Sequence, residues 1–119
     1  MKLPNFSYMM SVGELRYIQS RFETAQYRNP DSAVGAFLPL SKRLRCMLRG
    51  TVFLSRVRAN PFYSYVIART RYYDEVFLDA IHRSFNCIIN VGCGSDTRAY
   101  RFAGALKQKA VIVLECDQA

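Results

Sequence analysis

The chain has 119 residues, half of them apolar and 22% charged, with a formal net charge of +8. This length and balance fit one small domain or part of one and exclude a disordered polyelectrolyte. No apolar run approaches the roughly 20 residues needed to span a bilayer, and no opening segment has the pattern of a secretory signal, so the expectation is a soluble, cytoplasmic protein.

Ser11 and Glu14 have the spacing of a capping box, and a helix is predicted from Val12 to Tyr27. Its apolar positions Val12, Leu15, Ile18, Phe22 and Ala25 recur at helical period, leaving Arg16, Gln19, Arg21, Glu23 and Gln26 for the opposite side. Asn29-Pro30-Asp31-Ser32 is turn chemistry within a loop over residues 28–39. Leu40, Leu44, Met47 and Leu48 then mark a short basic amphipathic helix, with Gly50 where a C-cap glycine would stand. Asn60-Pro61 opens a further helix from Phe62 to about Ser84, with a break expected near Thr70 and with Tyr73, Phe77, Ala80 and Ile81 on one face. Cys87–Val91 reads as a buried parallel strand, residues 97–106 as a helix and Ala110–Leu114 as a second buried strand. The class is therefore α/β. Two parallel strands leave faces and edges to be covered, so the chain is read as the N-terminal part of a longer, truncated sheet protein.

Charge and cysteines narrow the partners. No acid occurs between Asp31 and Asp74, whereas Lys42, Arg43, Arg45, Arg49, Arg56, Arg58, Arg69 and Arg71 all fall there, a stretch that invites an anionic partner or forms a solvated basic face. Cys46, Cys87, Cys93 and Cys116 form no CxxC pair and His82 is the only histidine, so no metal site is expected. Asn5-Phe6-Ser7 matches a glycosylation acceptor, but no secretory signal accompanies it.

The stretch most informative for function is "CIINVGCGSDTRAYRF". Glycines just after a strand permit positive φ and let a ligand approach the main chain, and a helix following at once aims its N–H groups there, with Asp96 or Thr97 as N-cap. Glu115 and Asp117 lie 21 and 23 residues beyond Gly94. An acid so placed, at the end of the second strand, hydrogen-bonds ribose hydroxyls in adenosine-binding folds. The dinucleotide fingerprint wants a third glycine where Thr97 stands, which favours an adenosine ligand without pyrophosphate.

"VGCGSDTRAYRF", "VIVLECDQ" and the upstream "ARTRYYDEVFLDAI" together resemble the S-adenosylmethionine-dependent methyltransferases of the leucine carboxyl methyltransferase type, whose motif runs LGAGLDTRAYRL and then EVD. The resemblance covers residues 60–118 and includes bacterial small-molecule O-methyltransferases. It implies an N-terminal helical lid over residues 1–59 and, from 60 to 119, the start of a Rossmann-like class I domain binding S-adenosyl-L-methionine. By position Gly92, Cys93 and Gly94 line the methionine end of that cofactor. Asp117 holds the ribose with Glu115 beside it, and Arg69 pairs with the cofactor carboxylate. Cys93 replaces the usual alanine and Ser95 an apolar residue. Lys42 is nearest to a lysine that some members use for cofactor contact.

The implied acceptor is a carboxyl or hydroxyl of a small molecule, or a protein C-terminal carboxylate. No catalytic base is identified. His82 reads as a helix-surface or packing residue, Tyr72 and Tyr73 as core, and Asp96 and Arg98 as a cap or local ion pair. Two other classes are compatible with the residues. One is a noncatalytic basic module meeting RNA, acidic protein or membrane through residues 42–71, and the other is a dinucleotide-binding fragment. On the leading reading, the 119 residues alone are expected to be inactive.

Overall fold

In the computed structural model, which describes residues 10–118, Ser11 and Glu14 close the capping box and open helix α1 (Val12–Phe22). The Ser11 hydroxyl accepts the Glu14 N–H at 3.2 Å and the Glu14 carboxylate accepts the Ser11 N–H at 2.8 Å. The Asn5-Phe6-Ser7 match lies outside the described residues. A 3-10 turn (Val34–Phe37) precedes α2 (Leu40–Val57), and α3 (Pro61–His82), strand β1 (Cys87–Val91), α4 (Arg98–Arg101), α5 (Ala103–Lys109) and strand β2 (Ile112–Cys116) follow. The chain divides into two bodies, one running to Thr70 and the other starting at Arg71, with the division inside the uninterrupted helix α3.

The first body gathers Leu15 and Ile18 of α1, Val34, Cys46 and Leu54 of α2, and Tyr63 and Val66 of α3 around one core. Each fully buried aliphatic side chain there contributes about 1.5–3 kcal/mol. Helix α1 stops at Phe22 rather than Tyr27 because Glu23 turns to extended backbone. Its buried carboxylate then accepts the Thr24 N–H, two nitrogens of Arg58 and the hydroxyl of Tyr63. Gln19 is fully buried as well. Its amide donates to the Tyr63 carbonyl at 2.9 Å, and its oxygen accepts from Asn29, which also reaches Thr70. Asp31 is buried against Arg16 at 2.8 Å. These partners explain why two residues assigned to the polar face, Gln19 and Glu23, are inside while Val12 is exposed.

Helix α2 runs well past Gly50, so this glycine is a packing residue and not a cap. A Cβ added there would fall 2.1 Å from Cε2 of Phe22, a rigid ring carbon. On an open helix face, glycine to alanine would stabilise by about 1 kcal/mol. At this crossing Gly50→Ala is expected to destabilise by about 1–3 kcal/mol, read as a lower urea midpoint with an unchanged slope. The buried face of α2 is Cys46, Gly50 and Leu54; Leu40, Leu44, Met47 and Leu48, the expected core stripe, are exposed. Small residues carry little apolar weight in a periodicity reading, yet they let helices approach closely.

In the second body β1 and β2 pair in parallel, with Cys87 opposite Ile112 and Val91 opposite Cys116. The second strand begins two residues later than its apolar run because Ala110 takes a left-handed conformation as the C-cap of α5. Ile88 and Val113 face a core of Phe77, Ile81, Leu106 and Val111. The other face, including Ile89, Val91, Ile112 and Leu114, is exposed, so among the described residues the strands are covered on one side and are not fully buried. The single helix expected over 97–106 is two short ones, separated at Phe102.

Candidate functional site

Strand β1 ends in a turn held by the far end of β2. The N–H groups of Gly92 and Cys93 both donate to the Cys116 carbonyl, at 2.7 and 3.2 Å. Gly92 and Gly94 take φ values of 68° and 49°, which other L-residues adopt only with strain. A Cβ on Gly92 would meet nothing within 4 Å, and one on Gly94 would meet only the Asp117 carboxylate at 3.7 Å. The main chain is therefore open to an approaching molecule. The Gly94 N–H donates to Oδ2 of Asp117 at 2.7 Å, and the other oxygen accepts the Gln118 N–H at 2.8 Å.

A glycine turn and an acid thus meet at the carboxyl ends of two parallel strands, the place where open α/β sheets bind ligands. Asp117 and Glu115 are exposed. Burial together with the charges of Glu115 and Asp117 pushes the Cys93 thiol above its ordinary range. Arg69 lies on an exposed part of α3, in the first body.

Behind the turn the charged residues of "DTRAYR" face inward. Asp96 accepts from the backbone N–H of Arg98 at 2.8 Å, from its guanidinium at 2.5 Å and from the Asn90 amide at 3.1 Å. Burial raises the Asp96 carboxyl, but these donors and the Arg98 charge outweigh it and hold the group below the usual carboxylate range. Arg101 binds Asp74 of α3 through two 2.7 Å hydrogen bonds, and Arg98 approaches the same carboxylate at 3.0 Å. All three side chains are about nine-tenths buried. Thr97, in the place of a third fingerprint glycine, is buried and accepts from Nε of Arg101 at 2.9 Å.

Asp74 was not singled out from the sequence. Its signal was present only as an acid inside "ARTRYYDEVFLDAI", and its two arginine partners follow on α4. Tyr72 and Tyr73 are exposed rather than core, because the ring of Tyr73 lies under the Arg98 guanidinium at 5.6 Å and Tyr72 packs edge-on against Tyr73. His82 is exposed at the end of α3. Among the described residues no group of three or more His, Cys, Asp or Glu could hold a metal ion, and no helix is long and apolar enough to cross a membrane.

A family model described as leucine carboxyl methyltransferase matches residues 23–119. No curated protein and no solved structure matches the chain.

Proposed function

We propose that this chain, which belongs to the leucine carboxyl methyltransferase family, uses the turn after β1 as one half of an S-adenosyl-L-methionine site for methyl transfer to oxygen. The family membership carries the reaction class. The observation that supports the place is the hydrogen bond from the Gly94 N–H to Asp117, which puts open main chain and an exposed carboxylate side by side.

The residues present fit that cofactor. Each Asp117 oxygen accepts one backbone N–H and keeps a lone pair that a ribose hydroxyl can use. Gly92, Cys93 and Gly94 would face the methionine end, where any side chain larger than that of Cys93 would intrude. Arg69 would pair with the carboxylate of the cofactor, a task suited to a planar guanidinium fork. Glu115 would stand beside the ribose. In this reading residues 1–59 form a helical lid and residues 60–119 begin a Rossmann-like cofactor domain.

When bound, S-adenosyl-L-methionine supplies a sulfonium-activated methyl group to an oxygen nucleophile approaching in line. The protein's part is to align the two and keep water out. A carboxylate acceptor is already ionised and needs no base, whereas a hydroxyl acceptor needs one within hydrogen-bond reach. The proposed acceptor is a carboxyl or hydroxyl group of a small molecule, or a protein C-terminal carboxylate.

A dinucleotide ligand is disfavoured by Thr97, whose buried side chain is committed to Arg101 where the fingerprint needs a bare glycine. Equilibrium dialysis separates the two. Labelled S-adenosyl-L-methionine should be retained and displaced by S-adenosylhomocysteine, with no displacement by a nicotinamide dinucleotide. Displacement by the dinucleotide at similar concentration would contradict the proposal.

A further inference from the structure

We infer that the outer face of α2 is a docking surface for an anionic phospholipid bilayer. The inference is independent of the methyltransferase reading and rests on the first body alone.

Helix α2 has two apolar faces. Cys46, Gly50 and Leu54 are buried against the core, and among the described residues Leu40, Leu44, Met47, Leu48 and Val52 are left exposed. Leu48 is 84% exposed and Leu40 61%, well beyond what a scattered surface leucine contributes to an ordinary monomer surface. At 3.6 residues per turn these five positions form one stripe, interrupted by the small hydroxyl residues Ser41, Thr51 and Ser55. Arg45, Arg49 and Arg56 border it on one side, followed by Lys42, while Arg43 falls on the core side between Gly50 and Leu54.

No acid lies on α2. Among the described residues, the carboxylates meeting this helix from packed neighbours are Glu14, buried and paired with Arg45 at 2.8 Å and Lys42 at 4.0 Å, and Glu23, buried and paired with Arg58 at the C-cap. Anions approaching the outer face therefore meet positive potential without repulsion. An aliphatic stripe flanked by a basic border is the pattern of a helix lying in a membrane interface, with its leucines among acyl chains and its guanidiniums at the phosphates.

Nucleic acid fits the basic border but not the stripe beside it. Single strands are held by aromatic platforms on which bases stack, and the exposed stripe of α2 offers leucine, methionine and valine instead. A lipid surface satisfies both features at once.

Sedimentation of the whole chain with vesicles, followed beside far-ultraviolet circular dichroism, tests this. The chain should bind vesicles of equimolar phosphatidylcholine and phosphatidylglycerol, release them as salt rises, and ignore vesicles of phosphatidylcholine alone. Leu44→Asp with Leu48→Asp, both at exposed positions, should keep the helical spectrum and weaken binding at least about tenfold. Arg49→Ala with Arg56→Ala should weaken it and flatten its salt dependence. Absence of sedimentation with anionic vesicles at low salt would overturn the inference. So would retained binding in the leucine variant, RNA binding in place of lipid binding, or a dimer that the leucine variant dissolves without any affinity for vesicles.

Discussion

Asp74→Ala is expected to destabilise the protein by about 3–5 kcal/mol, a large share of a small domain's stability. The reason lies in what is left behind. Arg98 and Arg101 are about nine-tenths buried against this carboxylate. Removing it strands guanidinium charge in a place with little water. Asp96 remains for Arg98, and Arg101 loses its paired carboxylate while keeping the hydroxyl of Thr97 and the face of Phe102, neither of which carries a full negative charge. Because these residues hold α4 behind the glycine turn, the variant should also weaken ligand binding there. The control is Asp79→Ala, which breaks a pair whose two side chains are more than half exposed and should change stability by less than about 1 kcal/mol. Urea denaturation of both variants decides the matter: equal midpoints would remove the clamp from the account.

The second large effect concerns acid. Burial alone would raise the Glu23 carboxyl, but the Arg58 guanidinium, the Tyr63 hydroxyl and the Thr24 N–H hold it at about 2, against an ordinary value of 4.5. A group depressed in the folded state contributes stability that is complete above its unfolded value and is lost as pH falls toward its folded one. Stability should therefore decline from about pH 4.5 to about pH 2, by about 2 kcal/mol from this residue once screening of the half-exposed Arg58 is allowed for. Glu23→Gln should flatten that limb and lower stability at neutral pH. A wild-type acid limb reproduced unchanged in the variant would contradict it. Burial of Tyr63, with the Glu23 bond, raises its hydroxyl well above its ordinary range, so its ionisation is displaced to more alkaline pH.

What could be read from the sequence, and what could not, follows the range of the interactions. The capping box at Ser11, the start of α3 at Asn60-Pro61 and the bounds of β1 are local, set by residues within a turn of one another. Each was legible. Gly50 was not, because a glycine ending a helix and a glycine admitting a ring look alike until Phe22 of α1 is placed against it. Gln19 and Glu23 read as surface because their partners, Asn29, Thr70, Arg58 and Tyr63, are remote in sequence. The stripe of leucines on α2 misled in the opposite direction, since the face that packs is the one with the smaller residues.

The candidate site shows the same division. Strand, glycine turn, helix, strand and acid are in sequence order, so the approach of Gly94 to Asp117 could be anticipated from spacing alone. The clamp of Asp74, Arg98 and Arg101 depends on α3 meeting α4, and no spacing rule announces it. The role given to Arg69 rests on the motif resemblance.

Titration calorimetry with S-adenosylhomocysteine, on the wild-type chain and on Asp117→Ala, bears most directly on the central claim. Asp117 is exposed and its removal deletes no core contact, so the variant should keep the wild-type circular dichroism spectrum. The account predicts saturable binding to the wild-type chain, weakened about 10- to 100-fold in the variant, the loss expected for a hydrogen bond to a charged group. A wild-type chain that binds nothing, or a variant that binds as tightly as wild type, would contradict it.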